Sequence, residues 1–435
     1  MAGSALTARA KPVRGMHAFS RTEPILATLL VVLASLPSPV SISLSWGSLL
    51  AVPLLPVLLR RVLPLRGARY WLVLALAALP IGWVTARVSL ELVDGREVLT
   101  GMVLFQSALI VGLALTGIVC VWAVQVLGPL WFVAFWSAGA VVGFLLNGDL
   151  ANNPWKYGLA LPITALLLVA ANRSRWATWL VALPITIGLT LASSYRTWLA
   201  VVTVGFTAAA LGTPRQGKSL STGVVVLMMV LLGLAVLVTG GLLVDLAVGG
   251  WLGDAVQRRT LEQLEYSDNI ILGGRAEWGA AMASFVSTPW GFGLGIGPSA
   301  DDYYTAIRNM PLPTAWHQDV STVATSFSAG YVSFHSVLWT FWASYGIGGL
   351  ALVLFMLVVA ARGVLSVFRL SMNFGVRALV VIVLVGGMWD LLFSPTSVSS
   401  VAACTALALC LGSASYRPLS GFTGGSVGAE VRSAV

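Results

Sequence analysis

The chain has 435 residues, of which 58% are hydrophobic and 9% charged, and its mean hydropathy is +0.90. A soluble domain carries about 25% charged residues, so this composition excludes a water-soluble globular fold and indicates a chain embedded in a bilayer. The net charge of +9 does not require a nucleic-acid partner, because basic residues collect in the cytoplasmic loops of membrane proteins.

Apolar segments long enough to span a membrane recur along the chain. A helix needs about 20 apolar residues to cross about 30 Å of hydrocarbon. About twelve spans are predicted, at residues 24–42, 44–60, 70–88, 98–122, 128–146, 156–171, 177–193, 197–211, 221–247, 335–360, 376–393 and 397–412. We therefore expect an all-α integral membrane protein. Its predicted divisions are a cytoplasmic leader at 1–23, spans 1–9 at 24–247, a large loop with short helices at 248–334, spans 10–12 at 335–412 and a disordered cytoplasmic tail at 413–435.

The distribution of basic residues predicts the orientation of these spans. If both termini are cytoplasmic, seventeen of the 25 lysines and arginines face the cytoplasm, as is typical of a multi-pass protein of the plasma membrane. The large loop is then extracytoplasmic. Eight basic residues remain on the outside: Arg87, Arg96, Lys156, Arg196, Arg258, Arg259, Arg275 and Arg308. Nearby acidic residues favour solvated surface ion pairs for four of them, Arg87, Arg96, Arg258 and Arg259.

The large loop holds two predicted helices and an unusual glycine run. "AVQRRTLEQLEY" reads as a surface helix, and "GRAEWGAAMASFVSTP" as a helix that ends at Pro289, with Trp278, Met282 and Phe285 on one apolar face. The following "GFGLGIG" lacks the G-x-G-x-x-G spacing and a βαβ context, so it does not predict a nucleotide site. We expect these glycines to let the backbone approach a helix or a ligand closely.

The three cysteines, Cys120, Cys404 and Cys410, lie in predicted spans without C-x-x-C spacing, which is typical of buried core residues. We expect neither a metal nor an organic cofactor.

Four stretches combine polar residues with helix ends on the predicted outer face. They are "ANNPWKYGLALP" at 151–162, "ASSYRTWLA" at 192–200, "GGRAEWGAAMASFVSTPWGFGLGIG" at 273–297 and "HSVLWTFWASYGIGGL" at 335–350. Together, in this order and with this number of spans, they resemble the O-antigen ligase and polymerase superfamily. Three positions depart from that pattern: Trp155 replaces a second Asn, Tyr195 intervenes before Arg196, and Ser336 replaces an Asn.

The resemblance implies a glycosyltransferase with a GT-C-like architecture that uses polyprenyl-pyrophosphate-linked glycans on the extracytoplasmic face, with inversion at the anomeric carbon. A glycan or lipid hydroxyl would be the acceptor, and ligase and polymerase activities stay open. The elements that carry the resemblance contain Asn153 in the first, Arg196 in the second, and Arg275 and Trp278 in the third.

The residues themselves suggest roles in such a reaction. An arginine fork matches a pyrophosphate, so Arg196 and Arg275 are candidate pyrophosphate ligands, and Lys156 either joins them or reaches lipid head groups. His335 is the candidate base or substrate ligand, with His317 as the rival. Glu277 reads as a charge in the first turn of a helix, and with Trp278 and Asn153 it completes the predicted site.

A transporter or flippase of lipid-linked oligosaccharides is the alternative interpretation. Transporters often show repeated halves and ionisable residues in mid-span. Here the halves show no clear repeat, and Asp245 and Asp390 lie near predicted outer ends. These features favour an enzyme over a transporter. Since arginines would serve the pyrophosphate and the sequence shows no acidic metal cage, we expect a metal-independent enzyme.

Overall fold

The structure is a computed structural model. It describes residues 22–36, 44–148, 150–151, 153–193, 195–211, 222–251, 253–266, 276–308, 327, 332, 334–368, 372–394 and 410.

Helices make up almost all of the regular structure. They are α1 Thr22–Ala34, α2 Trp46–Ala51, α3 Leu55–Val62, α4 Arg66–Leu92, α5 Thr100–Leu127, α6 Pro129–Asn147, α7 Ala160–Ala171, α8 Arg175–Ala177, α9 Leu183–Ala192, α10 Arg196–Leu211, α11 Thr222–Val248, α12 Asp254–Tyr266, α13 Ala276–Ser287, α14 Ala300–Arg308, α15 Val337–Val367 and α16 Phe374–Phe393. Two short strands, β1 Glu97–Val98 and β2 Ile296–Gly297, pair antiparallel, with Glu97 opposite Gly297.

Six helical segments in the described part are long and apolar enough to cross a membrane, and they make this an all-α membrane protein. They are Arg66–Leu92, Thr100–Leu127, Pro129–Asn147, Arg175–Ala192, Val337–Val367 and Phe374–Phe393. The predicted total of twelve stays a prediction. Helix α1 has 13 residues, which at 1.5 Å per residue is shorter than about 30 Å. The span at 397–412 lies outside the described residues, except for Cys410.

Prolines modify three of the predicted spans. Pro56 has no N–H for the carbonyl of Val52, which instead accepts from Leu55, so a 3-10 turn at Val52–Leu54 separates α2 from α3. π-helical turns at Trp155–Leu159 and Thr178–Ala182 lead into α7 and α9. Each lies just before a proline, Pro162 or Pro184, whose ring crowds the carbonyl four residues earlier.

Contacts between α10 and α16 show that these helices run in opposite directions. Trp198 packs at Gly386, Gly205 packs at Ile382, and Arg377 donates to the carbonyl of Ala209 at 3.4 Å. The start of α10 and the end of α16 therefore share one end of the bundle.

The glycine-rich segment 289–297 inserts at that same end, which we call the loop end. Residues 291–297 are all buried, and their amides are paired inside the bundle. Phe292 N and Gly293 N donate to the carbonyl of Ala343 at 2.9 and 2.8 Å, and Leu294 N donates to that of Gly82 at 2.9 Å. Gly295 N donates to the side chain of Gln106 at 2.7 Å. The segment thus joins α4, α5 and α15.

Glycine is required here for two reasons. Gly291, Gly293 and Gly295 have φ values of 91°, 104° and 73°, in a region that disfavours L side chains. A Cβ on Gly293 would also collide with the backbone of Ala86. The predicted close approach of this backbone to a helix is therefore confirmed.

A break in α15 provides the acceptor for this segment. Gly346 has φ 60° and ψ −143° inside the helix, so the regular hydrogen-bond ladder is interrupted, and the carbonyl of Ala343 accepts from the inserted segment instead.

We expect Gly293→Ala to lower the free energy of unfolding by about 2–4 kcal/mol, because it adds both backbone strain and a collision with α4. Gly188→Ala is the matched control, since a Cβ at Gly188 meets nothing within 4 Å, and it should be neutral or stabilising by up to about 1 kcal/mol. Thermal unfolding in detergent measures both. Equal midpoints for the two variants would show that the insertion does not depend on this glycine.

Candidate functional site

His335 and Glu277 meet at the loop end. The Nδ1 atom of His335 lies 3.4 Å from Oε1 of Glu277, and their side chains are 47% and 13% exposed. Glu277 is the second residue of α13, and His335 lies two residues before α15. The carboxylate thus lies beside one ring nitrogen, and the exposed remainder of the ring is accessible to a substrate.

The backbone of His335 is in the left-handed region, with φ 46°. Ser336 then caps α15, its hydroxyl accepting from Trp339 N at 3.4 Å. Among the described residues, Asn153 is the other non-glycine residue with positive φ, also 46°. Asparagine adopts this region readily, whereas for histidine it is less common, and such backbone conformations concentrate at functional sites.

Trp278 fixes the first turn of α13 above the bundle. Its indole N–H donates to the carbonyl of Leu392 at 3.0 Å, and its ring contacts Trp339 and Phe393 at centroid distances of 5.4 and 5.1 Å. Trp278 therefore anchors, by packing, the helix turn that carries Glu277.

Two of the three residues on the predicted apolar face of α13 pack on the bundle. Phe285 contacts Trp339 and Trp342 at 5.8 and 5.4 Å, so it packs on the bundle together with Trp278. The third residue, Met282, is 44% exposed.

Asn153 joins the π-helical turn before α7 to the segment between α9 and α10. Its Oδ1 accepts from Lys156 N at 3.1 Å, and its Nδ2 donates to the carbonyl of Ser193 at 2.7 Å. The ammonium of Lys156 lies 5.0 Å from the ring of Tyr157. Arg196, the first residue of α10, follows Ser193 by three residues, so the two predicted pyrophosphate-binding elements are adjacent.

The His335–Glu277 pair and the elements joined by Asn153 both lie at the loop end, because a residue near each group contacts the last part of α16. Trp198, near Arg196, packs at Gly386, and Trp278, next to Glu277, bonds to Leu392. Gly386 and Leu392 are six residues apart, which corresponds to about 9 Å along the axis of α16. Two further predicted residues, Arg275 and His317, lie outside the described residues.

The prediction for Arg96 was wrong. Its side chain is fully buried, and it forms a bidentate pair with Asp302, with Nη2 to Oδ1 at 2.5 Å and Nε to Oδ2 at 2.9 Å. Nη1 donates to Ser89 and Nη2 to Thr288, and the guanidinium lies 4.7 Å from the ring of Phe292. Nearby acids in the sequence suggested solvated pairs, but the partner is 206 residues away.

One local sequence pattern singles out Asp302, the acidic partner of Arg96. Ser299-x-x-Asp302 has capping-box spacing, and Asp302 Oδ2 accepts from Ser299 N at 2.8 Å. Nothing in the spacing identifies Arg96 as its partner. Arg87, by contrast, is exposed and lies 5.1 Å from the ring of Trp83.

Comparison of the chain with family models, curated proteins and solved structures gave no match.

We expect His335→Asn to keep the thermal stability of the protein, because Asn tolerates the left-handed region, whereas His335→Val should cost about 1–2 kcal/mol. Thermal unfolding of the two variants measures the difference. If valine were as stable as asparagine at this position, the backbone of residue 335 would not be constrained.

Proposed function

We propose that the protein is a membrane glycosyltransferase of the O-antigen ligase or polymerase type. It would move a glycan from a polyprenyl-pyrophosphate carrier to a hydroxyl acceptor at the extracytoplasmic face of the plasma membrane. The observation that carries this proposal is the contact of His335 with Glu277 at 3.4 Å. At the same end of the bundle, Asn153 links the backbone of Lys156 to the segment just before α10.

The pair has the arrangement of a general base and its orienting carboxylate. Nδ1 of His335 lies 3.4 Å from the carboxylate of Glu277, so Nε2 is the nitrogen to which we assign the proton from the acceptor hydroxyl. The acceptor oxygen then bonds to the anomeric carbon as the bond from that carbon to the pyrophosphate oxygen breaks. The electron pair leaves with the pyrophosphate.

The leaving pyrophosphate needs fixed positive charge as its own negative charge grows. In the proposed reaction Arg196 and Arg275 supply this charge, and Lys156 is the third candidate cation. Asn153 fixes the backbone around two of these elements. Its side chain accepts from Lys156 N and donates to the carbonyl of Ser193, just before α10.

The location at a bundle end also suits a lipid-linked donor. The polyprenyl chain stays in hydrocarbon, and its pyrophosphate lies at the membrane surface. Exposed apolar side chains on α4, such as Trp83, Val84 and Leu92, are 54–61% exposed near the loop end and suit contact with lipid.

The test is transfer by purified protein in lipid nanodiscs supplied with a polyprenyl-pyrophosphate oligosaccharide, an acceptor and a chelator. We expect release of polyprenyl pyrophosphate together with a lengthened or transferred glycan. His335→Asn should reduce the rate about 10²–10⁴-fold because the base is lost. Arg196→Ala and Arg275→Ala should each reduce it about 10²–10³-fold.

Arg87→Ala is the matched control, since Arg87 is an exposed arginine near the end of α4, and it should retain full activity. Full activity of His335→Asn would remove His335 from the mechanism. Translocation of the lipid-linked glycan across vesicles without any transfer would instead establish a flippase.

A further inference from the structure

The Arg96–Asp302 pair uses nearly all the hydrogen-bonding capacity of both side chains. Nε, Nη1 and Nη2 of Arg96 all donate, to Asp302, Ser89 and Thr288. Asp302 Oδ2 also accepts from the amide and hydroxyl of Ser299, at 2.8 and 2.9 Å. With a fully buried side chain and its donors engaged, Arg96 is not a substrate ligand.

The partners of Arg96 belong to separate parts of the loop end. Ser89 lies in the last turn of α4, Thr288 directly follows α13, Phe292 belongs to the inserted glycine segment, and Asp302 lies in the first turn of α14. A planar guanidinium can hold several groups in one geometry because its donors form a rigid fork. One side chain therefore fixes these segments relative to each other.

This arrangement reaches the candidate site through α13. Arg96 holds Thr288 at the end of α13, and Asp302 holds α14, which packs along α13. Glu277 lies at the other end of α13, eleven residues before Thr288, or about 16 Å at 1.5 Å per residue. Any shift of α13 along its axis would move Glu277 relative to His335.

We propose that Arg96 and Asp302 are positioning residues that set α13 against α15, so that Glu277 meets His335. Their catalytic effect rests on the proposed glycosyl transfer. Neither residue touches the reacting atoms.

The kinetic test compares Arg96→Lys and Asp302→Asn with the wild type in the same transfer assay. Lysine keeps the charge but loses the fork. We expect kcat to fall about 10²-fold, since displacement by about 1 Å can cost that much, with KM for the donor within about twofold. In a Glu277→Gln background the same changes should cost far less, because residues that act as one unit are not additive. A loss that is fully additive with Glu277→Gln, or one expressed only in KM, would overturn the positioning role.

A distance measurement makes the inference independent of activity. Spin labels on cysteines introduced at Met282 in α13 and Ile347 in α15, which are 44% and 63% exposed, report the position of one helix relative to the other. Native cysteines would first be replaced by alanine. Arg96→Lys should broaden or shift the distance distribution, and Arg87→Lys should not. Thr288→Val, a milder change, should act in the same direction if Arg96→Lys does not fold.

The two failures can be told apart. If the wild type transfers no glycan but Arg96→Lys still shifts the distance, the proposed function fails and the positioning of α13 by Arg96 holds. If the distance is unchanged in both Arg96→Lys and Thr288→Val, the positioning inference fails, whatever the activity.

Discussion

A carbonyl group released by a helix break holds the loop end together. In hydrocarbon a backbone polar group without a hydrogen-bond partner costs several kcal/mol. Irregular backbone can therefore lie inside the bundle only where the protein supplies those partners. Gly346 interrupts α15, and the carbonyl of Ala343 accepts from both Phe292 and Gly293. The inserted segment thereby becomes part of the core, and α13, which leads directly into it, gains a fixed end.

Glu277 and His335 each lie on or beside a helix that these contacts hold in place. Glu277 stands on α13, which is fastened at Thr288 by Arg96 and at its first turn by Trp278. His335 stands in a left-handed conformation, just before the capped start of α15. The helix that follows it is fixed by packing on α4 and by the hydrogen bonds of the glycine segment to Ala343.

The sequence was informative where a local pattern dictates structure. Long apolar runs predicted the six long helices, Pro289 marked the end of α13, and alternate glycines indicated a close backbone approach. It was less informative where distant residues decide. The burial of Arg96 depends on Asp302, 206 residues away, and the exposure of Met282 depends on which neighbours α13 meets. The contact between His335 and Glu277 likewise required the fold, although both residues had been singled out.

The most direct measurement is to locate the bound pyrophosphate. A polyprenyl-pyrophosphate analogue with a photoreactive group in its first isoprene unit can be crosslinked to the protein in lipid vesicles and mapped by peptide mass spectrometry. We predict labelled peptides at the loop end, from the starts of α7, α10 and α13 and the segment around His335. Labelling confined to the opposite end, around Arg173, Arg175 and Arg362, would contradict an active site at the loop end.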